Sequence, residues 1–218
     1  MKTTDNTLKL EEVLVVPAST LFSNGYFNGI ERQNLEQYFQ SISQSYLFIP
    51  RNQAEEDESY KQLIPYLVVM HNGKVLLLER FKTQGEARLH NKLSIGIGGH
   101  VNRVDEMTGK TPWECGLKRE LHEELTCNGE YHIKFIGLLN DDTVSVGKVH
   151  LGLVYLVEFN SGDVTVKEQD KMSGRFVSLN DLKELYPHME TWSQIVYDQY
   201  LKTISSQTKP GSFHCCNE

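Results

Sequence analysis

The chain reads as an α/β fold built around a mixed sheet. Three observations predict it. Apolar runs of strand length recur along the 218 residues, bounded by Gly, Pro, Asn and charged clusters. Helical spacing of apolar residues appears in four further segments. Strands and helices interleave without an internal repeat, which is the order of α/β and α+β domains.

Taken in order, "EEVLVVP" predicts a short strand ended by Pro17, and "SNGYFNG" predicts turns at its two Asn-Gly steps. Leu35, Tyr38, Phe39 and Ile42 recur at i, i+3, i+4, i+7 and predict a one-sided helix. "SYLFIP" predicts a second short strand. "RNQAEEDESYK" reads as a charged loop and the best internal boundary. Residues 1–60 are therefore expected to form an N-terminal extension packed on a core domain over 61–203. The tail, 204–218, is expected to be disordered. "QLIPYLVVMHNGKVLLLER" predicts a hairpin, because Asn72-Gly73 supplies the positive φ that a two-residue turn needs. "KLSIGIGGHV" predicts a strand running into glycines, followed by the polar segment "NRVDEMTGK". "YHIKFIGLL", "KVHLGLVYLVEF" and "GRFVSL" predict three more strands. "SLNDLKELY" opens a helix with Ser178 or Asn180 as its cap, and "ETWSQIVYDQYLKTI" is a final amphipathic helix.

Composition narrows the function. Hydrophobic residues make up 39% and charged residues 23%, an ordinary globular balance. The net charge of −7 argues against a nucleic-acid polymer as partner, since a long phosphate backbone wants a basic face. A small phosphorylated ligand needs only a local basic patch. The four cysteines, Cys115, Cys127, Cys215 and Cys216, form no C-x-x-C pair, and no zinc or disulfide framework is readable. No run of 18 apolar residues predicts a membrane span, and a reducing cytoplasm is the expected compartment.

The chemistry concentrates in "TPWECGLKRELHEELTCNG". Thr111, Pro112 and Glu114 spell a capping box with proline at the first helical position, and Asn128-Gly129 offers a left-handed stop. On a helix, Leu117, Leu121 and Leu125 form one ridge beside Trp113. Glu120, Glu123 and Glu124 form an adjacent stripe, with the small Gly116 within it. A solvated acidic face is the plain alternative, but it fits poorly. Like charges at i, i+4 destabilise a helix. They also stand in its last turns, where the dipole repels anions. A carboxylate beside buried leucines is costly unless something pairs with it. A divalent cation relieves all three problems, because hard cations take carboxylate oxygens and bridge to phosphate.

The segment "GGHVNRVDEMTGKTPWECGLKRELHEELTC" resembles the signature of the Nudix hydrolases, G-x5-E-x7-R-E-U-x-E-E-x-G-U. Gly99 matches the first glycine, and Arg119, Glu120, Leu121, Glu123 and Glu124 match the R-E-U-x-E-E core. Three departures stand out. The first glutamate position falls on Asp105, with Glu106 next to it. Thirteen residues, where the family has seven, separate Asp105 from Arg119. Thr126 replaces the later glycine. The match covers the 29 residues from Gly99 to Cys127, and the extension and the "GIGGHV" wording look like a branch of predicted phosphoesterases.

The resemblance implies an α/β/α sandwich and hydrolysis of a diphosphate joined to another group. It implies that Glu120, Glu123 and Glu124, with the Gly99 carbonyl, bind Mg²⁺ or Mn²⁺. Arg119 would hold the acidic residues through Asp105 or Glu106. Glu123 and Glu168 are the candidate bases. Arg80, Arg88, Lys92 and His150 are candidate contacts for a small phosphorylated substrate, with Lys82 and His90 in the same basic stretch. A homodimer is expected from the family. Two other classes stay open: a Nudix-fold sensor that binds a nucleotide derivative without cleaving it, and an interaction protein using residues 1–60. "TGKT" is not a P-loop, because Val104 stands where the pattern needs glycine.

Overall fold

A computed structural model describes residues 11–80, 92–167 and 172–207. The chain begins with β1 (Glu12–Pro17), α1 (Ala18–Leu21), β2 (Gly29–Glu31), α2 (Leu35–Ser45), β3 (Leu47–Pro50) and α3 (Arg51–Ala54). The hairpin β4 (Tyr60–His71) and β5 (Lys74–Arg80) follows, then β6 (Leu93–Ser94) and β7 (Gly96–Gly98). Beyond a loop come α4 (Pro112–Glu124), β8 (Leu125–Asn128) and β9 (Tyr131–Asn140). After α5 (Ser145–Lys148) the chain runs through β10 (His150–Phe159), β11 (Asp163–Val166), β12 (Met172–Val177) and α6 (Leu179–Leu185). It closes with α7 (Thr191–Val196), a π-helical turn over Tyr197–Leu201, and α8 (Lys202–Gln207).

Among the described residues ten strands form one sheet: its main path runs β12-β5-β4-β10-β9-β2, and off that path β1 pairs with β3 and β4, β6 with β5, and β7 with β4. β4 and β10 are parallel, from His150↔Gln62 to Phe159↔His71, and the other pairings are antiparallel. The sheet is therefore mixed. Its two central strands are buried on both faces, which is why they read as near-continuous apolar runs. Leu63, Leu67 and Val69 of β4 pack on one side with Leu117 and Leu121 of α4 and Ile42 of α2. Ile64, Tyr66, Val68 and Met70 pack on the other with Leu182, Trp192, Val196 and Leu201. Helices thus cover both faces, giving an α/β/α sandwich with the sheet in the middle.

Asn72 and Gly73 take φ of 51° and 70°, the pair of positive values a two-residue hairpin turn requires. Thr111 precedes α4, and Glu114 reaches back to its backbone N–H at 3.3 Å and its hydroxyl at 2.7 Å. Ser178, not Asn180, caps α6 and accepts from the Asp181 N–H.

Three local expectations need correction. α4 does not stop at Asn128-Gly129. It ends at Glu124, and Leu125 is already extended at φ −120°, ψ 139°. Residues 125–128 instead pair with β11, and that ladder outweighs the turn signal downstream. "RNQAEEDESYK" is not all loop: Arg51–Ala54 is helical and Ala54 is fully buried. The segment before it belongs to the same sheet as the segment after it, since β1 pairs with β4 from Val15↔Gln62 to Pro17↔Tyr60. The last helix is interrupted by the π turn, which keeps Tyr197, Tyr200 and Leu201 all buried. No helix among the described residues is long and apolar enough to cross a membrane.

Candidate active site

Gly116 lets the loop after β7 lie directly on α4. A Cβ there would stand 3.2 Å from both the Asp105 carboxylate and Val101. A 3₁₀ turn, Arg103–Asp105, places Asp105 against the helix, where it is 3% exposed. Its partner is Arg119. Arg119 Nε donates to Asp105 Oδ1 and Nη2 to Oδ2, both at 2.9 Å. The second Nη2 proton goes to the His100 carbonyl at 2.8 Å. Nη1 donates to Glu120 Oε1 at 2.7 Å and to Glu123 Oε2 at 3.0 Å. All five N–H groups of the guanidinium therefore have an acceptor. Asp105 first, then Glu120, hold Arg119 protonated beyond the usual arginine range. Of the two candidate partners left open by the sequence, Asp105 makes the pair. Glu106 faces Arg103 at 3.8 Å and the Tyr46 hydroxyl at 3.4 Å.

Gly99 sits even closer to the helix. A Cβ at this position would lie 2.2 Å from the Glu120 carboxylate, so only glycine fits without displacing it. The Glu120 side chain is 10% exposed. Burial pushes its carboxyl up, against the pull of Arg119, and the net shift is upward. Glu123 is 58% exposed and Glu124 is half-buried.

These groups form one wall of a pocket of about 770 Å³. Of the residues singled out from the sequence, Gly99, Arg119, Glu120, Glu123, Glu124, Lys92 and His150 all line it. Arg80 ends β5, and its side chain lies outside the described set. Arg88 and Glu168 also lie outside the described residues. Sequence reasoning missed His100, Arg51, Tyr66, Ser94, Glu190 and Trp192, which line the same pocket. Arg51 is held between Glu11 at 3.0 Å and Glu55 at 2.8 Å. His150 Nδ1 lies 2.6 Å from the Val146 carbonyl, and since a carbonyl only accepts, Nδ1 carries the proton. Its Nε2 faces His100 Nε2 at 3.5 Å. Burial, with the charge of Arg51 behind it, pushes His100 down to about 3, so it is neutral at ordinary pH.

The carboxylates of Glu120, Glu123 and Glu124 are hard oxygen donors that suit Mg²⁺ or Mn²⁺, and Gly99 of the adjoining loop lies against the first of them. Arg119 engages only one oxygen of Glu120 and one of Glu123, and each carboxylate keeps a second. No three acidic, His or Cys side chains among the described residues stand as a formed metal cage.

No protein-family model matches the chain. It is 39% identical over 201 residues to Protein YmaB of Bacillus subtilis (strain 168), covering 86% of this chain and 96% of that one. It superposes on the crystal structure of Tm1382, provisionally assigned as a Nudix hydrolase, with a TM-score of 0.76. That match has 34% identity and covers 88% of this chain and 100% of Tm1382. With the arginine clamp and the carboxylate helix in the places the signature requires, the chain belongs to the Nudix hydrolase family.

Proposed function

We propose that the protein is a divalent-cation-dependent hydrolase that cleaves the diphosphate linkage of a nucleoside diphosphate derivative or a related small phosphorylated metabolite. One observation carries the reading. The bare Cα of Gly99 abuts the Glu120 carboxylate, on a pocket wall shared with Glu123, Glu124 and Arg119. A solvated acidic face has no need of such a fit, whereas a site for Mg²⁺ or Mn²⁺ draws carboxylate and backbone oxygens together. Glu120, Glu123, Glu124 and the Gly99 carbonyl would hold the cation. Bound there, it would neutralise phosphate oxygens and supply an activated water.

The chain's own residues supply the rest. Arg119 fixes Glu120 and Glu123 and ties both to the loop through Asp105 and the His100 carbonyl. Glu123 is the exposed member of the set, and its second oxygen, Oε1, would serve either as ligand to the cation or as acceptor of the attacking water's proton, one role excluding the other. Glu168 is the alternative base. Arg51 brings positive charge to the pocket for the outer phosphates, and Lys92 lines the pocket next to the strand that carries Ser94. Burial keeps neighbouring His100 neutral, so this wall adds no further charge.

The test is phosphate release, after coupled phosphatase treatment, from nucleoside triphosphates, dinucleoside polyphosphates, nucleotide sugars, NADH, ADP-ribose and coenzyme A. Mg²⁺ and Mn²⁺ would each be supplied, beside a Glu124→Gln control. Metal-dependent turnover lost in the control is the expected result. Turnover unchanged by the substitution, or no turnover and no metal-induced rise in melting temperature, would overturn the reading.

A further inference from the structure

The pocket has a second polar end that the phosphate chemistry does not use. Ser94, Gly96 and Gly98 line it at alternate positions along β6 and β7, running toward Gly99. From Ser94 to Gly99 is five residues, at most about 17 Å of extended chain. Beside Ser94 stands Glu190, and three hydroxyls converge on one of its oxygens. Tyr66 donates to Glu190 Oε1 at 2.7 Å, Ser193 at 2.9 Å, and Ser94 lies at 3.0 Å. The backbone orients both serines. The Ile95 N–H donates to Ser193 Oγ at 3.0 Å, and the Gly96 N–H to Ser94 Oγ at 3.2 Å. Tyr66, Ser94 and Ser193 are all buried. The Tyr66 ring is locked beneath Gly96, where a Cβ would come within 2.0 Å of it.

Glu190 itself is only half-buried and lines the pocket. It stands at the N-cap position of α7, yet its side chain makes no capping bond. All three hydroxyl contacts fall on Oε1, which leaves Oε2 as an acceptor for whatever enters. Trp192 lines the same end, packed edge-on against Tyr66 at 5.5 Å. A carboxylate fixed by the Tyr66 and Ser193 hydroxyls, with the Ser94 proton shared between it and the Gly96 carbonyl at 2.9 Å, repels an anionic group beside the indole. It accepts from hydroxyl or amino groups carried on a flat or sugar-like body.

We propose that Glu190 is the specificity-determining residue for the group attached to the diphosphate, and that this group is a hydrogen-bond donor without negative charge, such as sugar hydroxyls or the exocyclic amine of a base. The inference rests on the proposed hydrolase reading and deepens it by naming the chemistry of the attached group.

Glu190→Gln is the sharp perturbation. The three hydroxyls keep the amide oxygen at the Oε1 position, so the amide N–H₂ takes the place of Oε2. An acceptor becomes a donor at unchanged volume. The probes are ADP-ribose and UDP-glucose, which carry donor-rich groups, and inorganic tripolyphosphate, which carries none. The wild type is expected to prefer one of the organic compounds over tripolyphosphate by at least tenfold in kcat/KM. Glu190→Gln is expected to cut that ratio at least tenfold, chiefly through KM. A ratio within twofold of wild type, whatever happens to the absolute rates, would overturn the proposal and leave the network a purely structural tie between β6 and α7. If the wild type hydrolyses none of the three, the hydrolase reading stands or falls on the wider panel above. The melting-temperature rise with each compound in the presence of Mg²⁺ then decides this inference separately. A rise with an organic compound that Glu190→Gln abolishes supports it, and no rise, or one that survives the substitution, overturns it.

Discussion

Replacing Arg119 by lysine keeps the charge and removes the fork. In the wild type, five N–H groups meet five acceptors spread over the loop and the helix: both oxygens of Asp105, the His100 carbonyl, Glu120 and Glu123. An ammonium offers three donors from one point, so at least two acceptors lose a partner. The worst placed is Asp105, whose side chain is 4% exposed and cannot recover the bond from water. Arg119 is itself 22% exposed, so the exchange is only partly screened. A charge-assisted bond to a buried group is worth about 1.5–3 kcal/mol. With the charge retained, Arg119→Lys should cost about 2–3 kcal/mol. For a chain of this length that is a fall in Tm of roughly 4–12 °C. The loop also loses the anchor that sets Gly99 against Glu120, and a misplacement of about 1 Å at such a site costs on the order of 10²-fold in rate. Thermal unfolding followed by circular dichroism without metal reads the first effect, and kcat/KM with Mg²⁺ reads the second. A variant that melts within about 2 °C of wild type and keeps kcat/KM within roughly threefold would show that the fork does not organise this site.

Two other predictions follow from packing and from charge. In Gly99→Ala, ordinary contact begins at 3.4 Å, so the Glu120 carboxylate must retreat by about 1 Å from its place. The Mg²⁺ midpoint for activity should rise at least about tenfold while Tm changes little, and an unaltered midpoint would mean that Glu120 does not hold the cation. Asp142 supplies a pH dependence away from the pocket. Burial pushes its carboxyl up, but the Lys61 ammonium at 2.6 Å and the Tyr26 hydroxyl at 2.9 Å outweigh this and hold it below the usual value. A depressed native value means stability that is fully present above the unfolded value near ~4 and lost as pH falls through the native one. Asp142→Asn should therefore lower Tm at neutral pH and narrow its gap to wild type in acid. A gap that widens below pH ~4 would contradict the sign.

The helix that carries the acidic residues was legible because its information is local. Thr111, Pro112 and Glu114 mark its start, Leu117 and Leu121 mark its buried face, and Glu120, Glu123 and Glu124 stand beside that face within one turn and a half. The hairpin at Asn72-Gly73 was legible for the same reason, since two adjacent residues carry the whole backbone requirement. Failures came where a distant partner decides. Leu125–Asn128 became a strand because β11 pairs with it, and no pattern in "LTCNG" announces a partner more than thirty residues away. Arg51 looked like one more charge in a polar run, and only β1 and β3, which seat α3, bring it to the pocket.

The same distinction divides the pocket. One end comes from a short stretch: a loop and helix from Gly99 to Glu124 hold Gly99, Asp105, Arg119 and the glutamates, and Arg119 ties them together. A chemistry that must place several oxygens within bonding distance of one another favours such a unit, because neighbours on one helix face hold their spacing whatever the rest of the chain does. The other end is assembled from Tyr66 on β4, Ser94 on β6, and Glu190 and Ser193 at the start of α7, which meet only because β4, β6 and α7 converge. Tyr66 reads as one more apolar residue of a core strand, and Trp192 as one more residue of a helix face. Nothing near Glu190 repeats or caps in a way that marks it. A binding end built this way can exchange its side chains one at a time without disturbing the carboxylate helix. If Glu190→Gln alters selectivity while Arg119→Lys lowers the rate on every compound alike, the two ends are energetically separable. That separation would explain how one fixed loop–helix unit serves pockets of different preference.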